Sequence, residues 1–271
     1  MKKIIKLFEQ YKKVDFIPSI EFEREQLYEY VYATNKLEGN KLTLAQTSQL
    51  LSNDTVTGDQ IRTTDILEQK GMYKALSRML KAVRDKEELS VELMLELNWL
   101  TLSYLWKYDD AYLHAKSKGQ QEGKFKISKN KIEIRKAGKL IETIEPLSLP
   151  DTAEDNMQQL VKTINESKDK SVLDKAVYLA QEVWLHQPFV DGNKRTGRLL
   201  INFLLMKEGY PLFSFESESK NYNSLLVQQY MDAQEDLLKD YITNLLIKKM
   251  EYYIKANKPS SKKNKGFRMV L

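Results

Sequence analysis

The chain has 271 residues and a formal net charge of +5, and it contains no cysteine, six prolines and ten glycines. The missing cysteine excludes disulfides and thiol chemistry, and the few prolines and glycines favour a mostly helical protein. The charged start at Met1 is not followed by an apolar run long enough for a signal peptide or a membrane span. We therefore expect a cytoplasmic protein that does not enter membranes.

The first fifty residues contain one strong helical pattern, which includes the apolar residues Leu27 and Val31. The pattern ends near Gly39, where a glycine in the left-handed conformation would close the helix. Residues 61–105 are predicted to form two further long helices. Ser90 is a suitable N-cap for the second of these, because an apolar ladder follows it.

Residues 120–145 interrupt the helical pattern. Apolar residues alternate there with lysine, asparagine and glutamate, and turn-forming residues stand at 129–131 and 137–139. This alternation predicts a β-hairpin within an otherwise helical protein. Helical periodicity resumes from Leu160.

The most informative segment is Pro-Phe-Val-Asp-Gly-Asn-Lys-Arg-Thr-Gly-Arg at 188–198, which lies between two apolar helix patterns. A glycine-containing turn that opens into a helix presents free N–H groups and the positive end of the helix dipole, a combination that binds phosphate. Arg195 and Arg198 are three residues apart and should project toward the same anion. Asp191 is placed to hold a divalent metal that bridges phosphates. For a lone Gly-Asn-x-Arg, a capped helix start with solvated arginines would be the better explanation.

Over nearly its whole length this segment resembles the motif of the Fic family, H-P-F-x-D/E-G-N-G/K-R-x-x-R. The resemblance extends over approximately residues 60 to 250 and implies an all-α, Fic-type helical bundle with a small β-hairpin flap. We therefore expect a helical region at 1–58, a Fic domain at 59–253 with its flap near 120–145, and a basic, disordered tail at 254–271.

The resemblance also implies a function, which is transfer of AMP from ATP, with Mg²⁺, to a hydroxyl group of a protein. Asp191 would hold the metal. The residues expected to bind the phosphates are Gly192, Asn193, Lys194, Arg195 and Arg198. Lys194 stands where the family more often has glycine, and the Doc-like branch, whose members phosphorylate their targets, shares it. A protein kinase activity of that type therefore stays open.

One position departs from the family pattern. A histidine normally deprotonates the target hydroxyl, because its pKa lies near neutrality. Aligned without gaps, that position falls on Gln187, which cannot accept the proton, and His186 becomes a packed residue at the helix end. If one residue bulges, His186 becomes the base instead. The periodicity favours the gapless register, which keeps Val183 on an apolar helix position. A catalytically silent nucleotide-binding or protein-binding module remains the alternative.

A second family signature lies near the N-terminus, where Thr34, Glu38 and Gly39 fit the inhibitory motif S/T-x-x-x-E-G/N. The resemblance implies that Glu38 pairs with Arg198. A carboxylate on this guanidinium would deny it to the γ-phosphate of ATP, so the enzyme would be self-inhibited. Without the main motif, an ordinary helix end at Gly39 would explain these residues fully.

Two expectations concern partners. The resemblance implies a protein target that docks on the flap by strand pairing, and a homodimer is also compatible with it. The basic tail could touch nucleic acid, but a solvated terminus is the better explanation, so no nucleic-acid partner is expected.

Overall fold

The structure, a computed structural model, describes residues 2–14, 19–136, 139–216, 222–234 and 236–256. These residues form twelve helices and one two-stranded antiparallel sheet, which confirms the predicted all-α bundle with one β-hairpin. None of the described helices combines the length and the apolar character that a bilayer crossing requires. Most of the predicted tail and residues 137–138 of the predicted hairpin turn lie outside the described residues.

The elements follow one another along the chain as α1 (Lys2–Tyr11), α2 (Ile20–Lys36), α3 (Leu44–Asn53), α4 (Thr63–Arg84), α5 (Val91–Leu102), α6 (Leu105–Tyr108), α7 (Asp110–Ser117), β1 (Ile132–Lys136), β2 (Lys139–Ile144), α8 (Ala153–Glu166), α9 (Val172–His186), α10 (Asn193–Lys207), α11 (Tyr222–Met231) and α12 (Leu237–Ala256).

The N-terminal helices share the main hydrophobic core. Helix α2 begins after Ser19, whose Oγ accepts a hydrogen bond from Phe22 N at 3.2 Å. Tyr30 and Val31 on this helix are fully buried in the same cluster as the α10 residue Leu199. Because α2 packs on both α4 and α10, it is held directly against the helix that begins in the motif predicted to bind phosphate.

Helices α4 and α5 approach each other closely at a glycine. A Cβ atom added to Gly71 would lie 2.2 Å from Thr101 O, so a larger residue would force the helices apart. The predicted N-cap of α5 is confirmed, since Ser90 Oγ accepts a hydrogen bond from Leu93 N at 3.1 Å. Both helices, α4 and α5, pack against α10.

The hairpin is shorter than the alternating sequence predicts. Strands begin only at residue 132, and the turn residues 129–131 precede β1. The preceding segment satisfies its backbone groups without a sheet: Ile127 N donates to Gln120 Oε1 at 2.9 Å, and Lys126 N donates to Pro188 O at 2.9 Å. Alternation there therefore reflects a loop that packs against the motif rather than a strand.

Candidate active site

The loop between α9 and α10 turns sharply at Gly192, which has φ +78°. A Cβ atom at this position would lie 2.8 Å from Asn98 Nδ2, so both the conformation and the space require glycine. Asn98 Nδ2 donates to Asp191 O at 2.9 Å and to Thr196 Oγ1 at 3.1 Å. Helix α5 thereby fixes the loop at the point where α10 begins.

Asn193 closes the loop from the other side. Its Oδ1 accepts a hydrogen bond from Phe189 N at 3.0 Å, and its Nδ2 donates to Phe189 O at 3.0 Å and to Gln187 Oε1 at 2.9 Å. The buried Asn193 side chain therefore holds the shape of the loop instead of projecting from it.

The segment before the hairpin supports the same loop. Asn130 Nδ2 donates to Phe189 O at 3.0 Å, and the rings of Phe125 and Phe189 stack with centroids 5.8 Å apart. Lys126 Nζ donates to Asn130 Oδ1 at 2.7 Å and to His186 O at 3.3 Å. Burial lowers the pKa of the Lys126 ammonium to about 8.

Arg198 has a side chain with no exposed surface, and its guanidinium is surrounded by acceptors. It donates from Nε to Thr34 Oγ1 at 3.1 Å and from Nη2 to Thr34 O at 3.0 Å and Glu38 Oε1 at 2.8 Å. Nη1 donates to Asn223 Oδ1 at 3.1 Å, and the guanidinium lies over the ring of Tyr222. The end of α2 and the start of α11 thus share this one cation.

Glu38 bridges two cations of α10. Besides Arg198, it contacts Lys194, whose Nζ lies 2.8 Å from Glu38 Oε2. Burial raises the pKa of the Glu38 carboxyl, but Arg198 and Lys194 outweigh it and hold this pKa well below its ordinary value. The carboxylate is therefore ionised throughout the neutral range.

Arg195 is held by a different pair of carboxylates. Its Nη1 donates to Glu68 Oε1 at 3.2 Å and its Nη2 to Asp191 Oδ2 at 2.9 Å. Burial raises the pKa of Glu68 above its ordinary value even though Arg195 opposes the shift. The sequence spacing predicts that Arg195 and Arg198 face the same anion. In this structure they are paired with different acidic groups.

Both carboxylate oxygens of Asp191 have partners. Oδ1 accepts from Gly192 N at 2.6 Å, and Oδ2 accepts from Arg195 and from the hydroxyl of Tyr112. Partial desolvation raises the pKa of Asp191, but Arg195 and Tyr112 lower it more, so it lies below its ordinary value. The side chain is half-exposed, unlike Arg195 beside it.

The side chains of His186 and Gln187, at the end of α9, point in different directions. His186 ends α9, and its Nδ1 lies 2.6 Å from Ser148 Oγ. Gln187 adopts a left-handed conformation with φ +44°, and its Nε2 donates to Trp184 O at 2.6 Å. Gln187, unlike His186, lines the cavity in front of the loop.

Two open spaces adjoin at this point. A cavity of about 70 Å³ is lined by Glu38, Gln187 and the start of α10, and a groove of about 920 Å³ runs between the hairpin and α11. Gln187 and Lys194 line both spaces. The groove has the size of a small-molecule site, whereas the cavity, with Glu38 in place, is far smaller.

Four site residues could not be identified from the sequence, because each lies far from the motif along the chain. They are Glu68, Asn98, Tyr112 and Asn223. Only the fold brings them to the loop. Asn40, which binds Glu68, is easier to find in the sequence, because it directly follows Glu38-Gly39 of the inhibitory motif.

Residues 88–205 match the sequence model of a family described as "Fic/DOC family". Two curated proteins are similar over much of the chain: protein adenylyltransferase fic-1 of Caenorhabditis elegans, 27% identical over 245 residues, and protein adenylyltransferase Fic of Drosophila melanogaster, 29% identical over 211 residues. The alignments cover 88% and 75% of this chain but 43% and 37% of those proteins. The chain thus spans less than half the length of these relatives.

A solved structure is similar over the whole fold. The Fic domain containing signaling protein from Bacteroides thetaiotaomicron VPI-5482 matches with a TM-score of 0.78 and 27% sequence identity. The match covers 94% of this chain and 96% of that one. The N-terminal helices and the hairpin are therefore part of an architecture that another protein shares almost from end to end.

Proposed function

We propose that this chain, which belongs to the Fic/DOC family, is a protein adenylyltransferase that transfers AMP from ATP to a protein hydroxyl group and is held in a resting state. The observation that carries the proposal is that Gly192, Lys194 and Arg195 line one cavity at the start of α10, and that Lys194 shares the carboxylate of Glu38 with Arg198. Such a helix start, with adjacent cations, suits a triphosphate.

The two adjoining spaces suggest where the phosphates and the nucleoside of ATP would bind. The cavity lined by Gly192, Asn193 and Lys194 suits phosphates, because it lies at the start of α10, where the first N–H groups have no partner within the helix. The groove beside the hairpin has more apolar walls, including Ile134 and Val227, and suits the nucleoside. Gln187 and Lys194, which line both spaces, would then lie beside the α-phosphate.

Asp191 is the residue that would hold Mg²⁺. The described residues contain no group of three or more acidic or histidine side chains placed so that they could hold a metal ion. One half-exposed carboxylate still fits this ion, because Mg²⁺ is commonly held by one or two carboxylates together with substrate phosphates. When bound, the metal would neutralise phosphate charge, and Asp191 would first have to exchange its contacts with Tyr112 and Arg195.

Glu38 would act as the inhibitor of this site. Its carboxylate pairs with Arg198 and Lys194 and lines the small cavity. A phosphate group could reach these cations only after Glu38 leaves. Thr34 adds two contacts to Arg198, and Gly39, with φ +91°, lets the chain turn directly after the glutamate.

The family base position in this chain is Gln187, so we propose that transfer by the unmodified chain is weak. A neutral amide cannot take the proton of a target hydroxyl. His186 is turned toward Ser148, so it is poorly placed to replace the missing base. This arrangement also favours the second candidate function, a nucleotide-binding or protein-binding module without catalysis. Phosphate transfer of the Doc type is a third candidate, because Lys194 is shared with that branch.

We further propose a protein target that pairs with an edge of the hairpin, a homodimer as an option for assembly, and a cytoplasmic location. The first of these is supported by the two-stranded sheet, which leaves strand edges for pairing at the rim of the nucleotide groove.

Binding and transfer can be tested separately. We would measure ATP binding by calorimetry with Mg²⁺, then follow self-labelling with ATP carrying the label on the α-phosphate or on the γ-phosphate. Glu38→Gln and Glu38→Gln with Gln187→His would serve as the released variants. Labelling from the α-phosphate supports AMP transfer, and labelling only from the γ-phosphate indicates a kinase. Binding without either label indicates the silent module.

A further inference from the structure

The carboxylate of Glu68 contacts the phosphate-binding motif on one side and the inhibitory segment on the other. Its Oε1 lies 3.2 Å from Arg195 Nη1, and its Oε2 accepts a hydrogen bond from Asn40 Nδ2 at 2.8 Å. Asn40 follows Glu38 by two residues. One short segment after α2 therefore reaches Arg198 through Glu38 and Arg195 through Asn40 and Glu68.

Asn40 has a single orientation that suits this link. Its Oδ1 accepts from Leu42 N at 3.1 Å and from Gln69 Nε2 at 3.1 Å, while its Nδ2 also donates to Asp65 O at 3.0 Å. The residue is 2% exposed. Because a flipped amide would leave several buried groups without partners, the Nδ2 group stays directed at Glu68.

Arg195 needs a second carboxylate once Asp191 changes partners. In the resting state its buried guanidinium is shared between Glu68 and Asp191. If Asp191 turns to a metal, Glu68 is the acidic group that still compensates the buried charge and fixes the guanidinium plane. Without Glu68, Arg195 would pair with Asp191 alone and would compete with both the metal and the phosphates.

We propose that Glu68 is a positioning residue that orients Arg195 for phosphate binding, and that Asn40 couples it to the segment carrying Glu38. This inference rests on the proposed function, since it assigns Arg195 to the nucleotide. It adds a second connection between the end of α2 and the phosphate site, separate from the pair of Glu38 and Arg198.

The test uses the full chain with Glu38→Gln, so that the first connection is released. Adding Glu68→Gln should weaken ATP and ADP binding by about tenfold or more, the loss expected for a hydrogen bond to a charged group. Binding of AMP, followed by ligand-observed NMR, should not change, because AMP lacks the phosphates that Arg195 would hold. A purely structural defect would weaken all three ligands alike.

The matched control is Glu87→Gln. Glu87 and Glu96 flank Arg78 as Glu68 and Asp191 flank Arg195, but they lie away from the motif. This variant should bind ATP like its parent. A double-mutant cycle then tests the link: Asn40→Ala should weaken ATP binding when Glu68 is present and have little further effect in Glu68→Gln.

Two failures can be told apart. A Glu38→Gln parent that binds no ATP would overturn the proposed function and, with it, any role of Glu68 in nucleotide binding. A parent that binds ATP while Glu68→Gln leaves ATP and ADP affinity unchanged would overturn only this inference. Additive effects of Asn40→Ala and Glu68→Gln would overturn the coupling through Asn40.

Discussion

Arg198 and Glu38, which are 160 residues apart in the chain, form an ion pair of 2.8 Å in which the arginine side chain is completely buried and the glutamate side chain is 15% exposed. In the proposed function, this pair occupies the guanidinium edge that a phosphate would bind. Because Lys194 contacts the same carboxylate, release of Glu38 would remove the acidic partner of two cations together.

Glu38→Gln should raise the affinity for Mg–ATP by a factor of about 5–150, the range typical of coupling between two sites. The amide keeps the shape of the side chain but removes the charge that competes with phosphate. Calorimetry would give the dissociation constants, with Glu87→Gln as the control for loss of an acidic group elsewhere. Unchanged ATP affinity in Glu38→Gln would contradict the inhibitory role.

Because of the ion pair between Glu38 and Arg198, we expect the free energy of unfolding to depend on pH. Arg198 and Lys194 lower the folded-state pKa of Glu38 below the ordinary value of 4.5, although burial opposes them. The stabilisation is therefore complete above that ordinary value and is lost as the pH falls through the lower folded-state pKa.

Glu38→Gln should then lower the free energy of unfolding by about 3 kcal/mol near neutral pH, as expected when one partner of a buried pair is removed. The difference in Tm between the variant and the parent should stay constant between about pH 6 and 8 and shrink below about pH 4. Scanning calorimetry at several pH values measures this, and a difference that disappears already at pH 6 would exclude a strongly ion-paired Glu38.

Asn223→Ala should partly release the resting state. Asn223 accepts a hydrogen bond from Arg198 at 3.1 Å and donates to Leu37 O at 2.9 Å, so it fastens the end of α2 to α11. We expect a gain in ATP affinity smaller than that of Glu38→Gln, about two- to tenfold for one or two hydrogen bonds. Gln229→Ala is the control, because Gln229 on the same helix binds Gln181 and Leu238 N and does not line the groove, and an equal effect of both would indicate a general change in α11.

Sequence patterns predicted much of this molecule because the responsible interactions are local. The helix start at Ser90, the glycine turn before α10 and the hairpin depend on neighbouring residues. The family resemblance links Glu38 with Arg198 across the chain, and the two side chains form an ion pair. The contacts of Glu68, Tyr112 and Asn223 arise only when separate helices meet. The hairpin is shorter than the sequence predicts. Alternation of apolar and polar residues indicates that a segment packs on one side, but it does not indicate which groups accept the backbone hydrogen bonds.

Asn193→Ala should abolish measurable ATP binding. The Asn193 side chain makes two hydrogen bonds of 3.0 Å to the backbone of Phe189, and together they hold the shape of the loop that the proposed function assigns to phosphate binding. Loss of both should also lower the free energy of unfolding by about 2 kcal/mol, since buried backbone groups lose their partners. Asn193→Asp retains the acceptor for Phe189 N and should have a smaller effect on stability. ATP binding by Asn193→Ala at the parent affinity would show that the loop is not the cradle.

Gln187→His should raise AMP transfer by about 10²–10⁴ in the Glu38→Gln background, the usual contribution of a positioned general base. Gln187 lines both the small cavity and the groove that are proposed to hold the nucleotide, and an imidazole there could take the proton of an incoming hydroxyl. His186→Ala should leave transfer nearly unchanged, because His186 faces Ser148, 2.6 Å away. Labelling with α-labelled ATP compares the variants at equal ATP occupancy, so that binding and chemistry are separated. If the Glu38→Gln parent already transfers AMP rapidly and His186→Ala abolishes it, the chain must bulge at Gln187 in the active state, and His186 is the base.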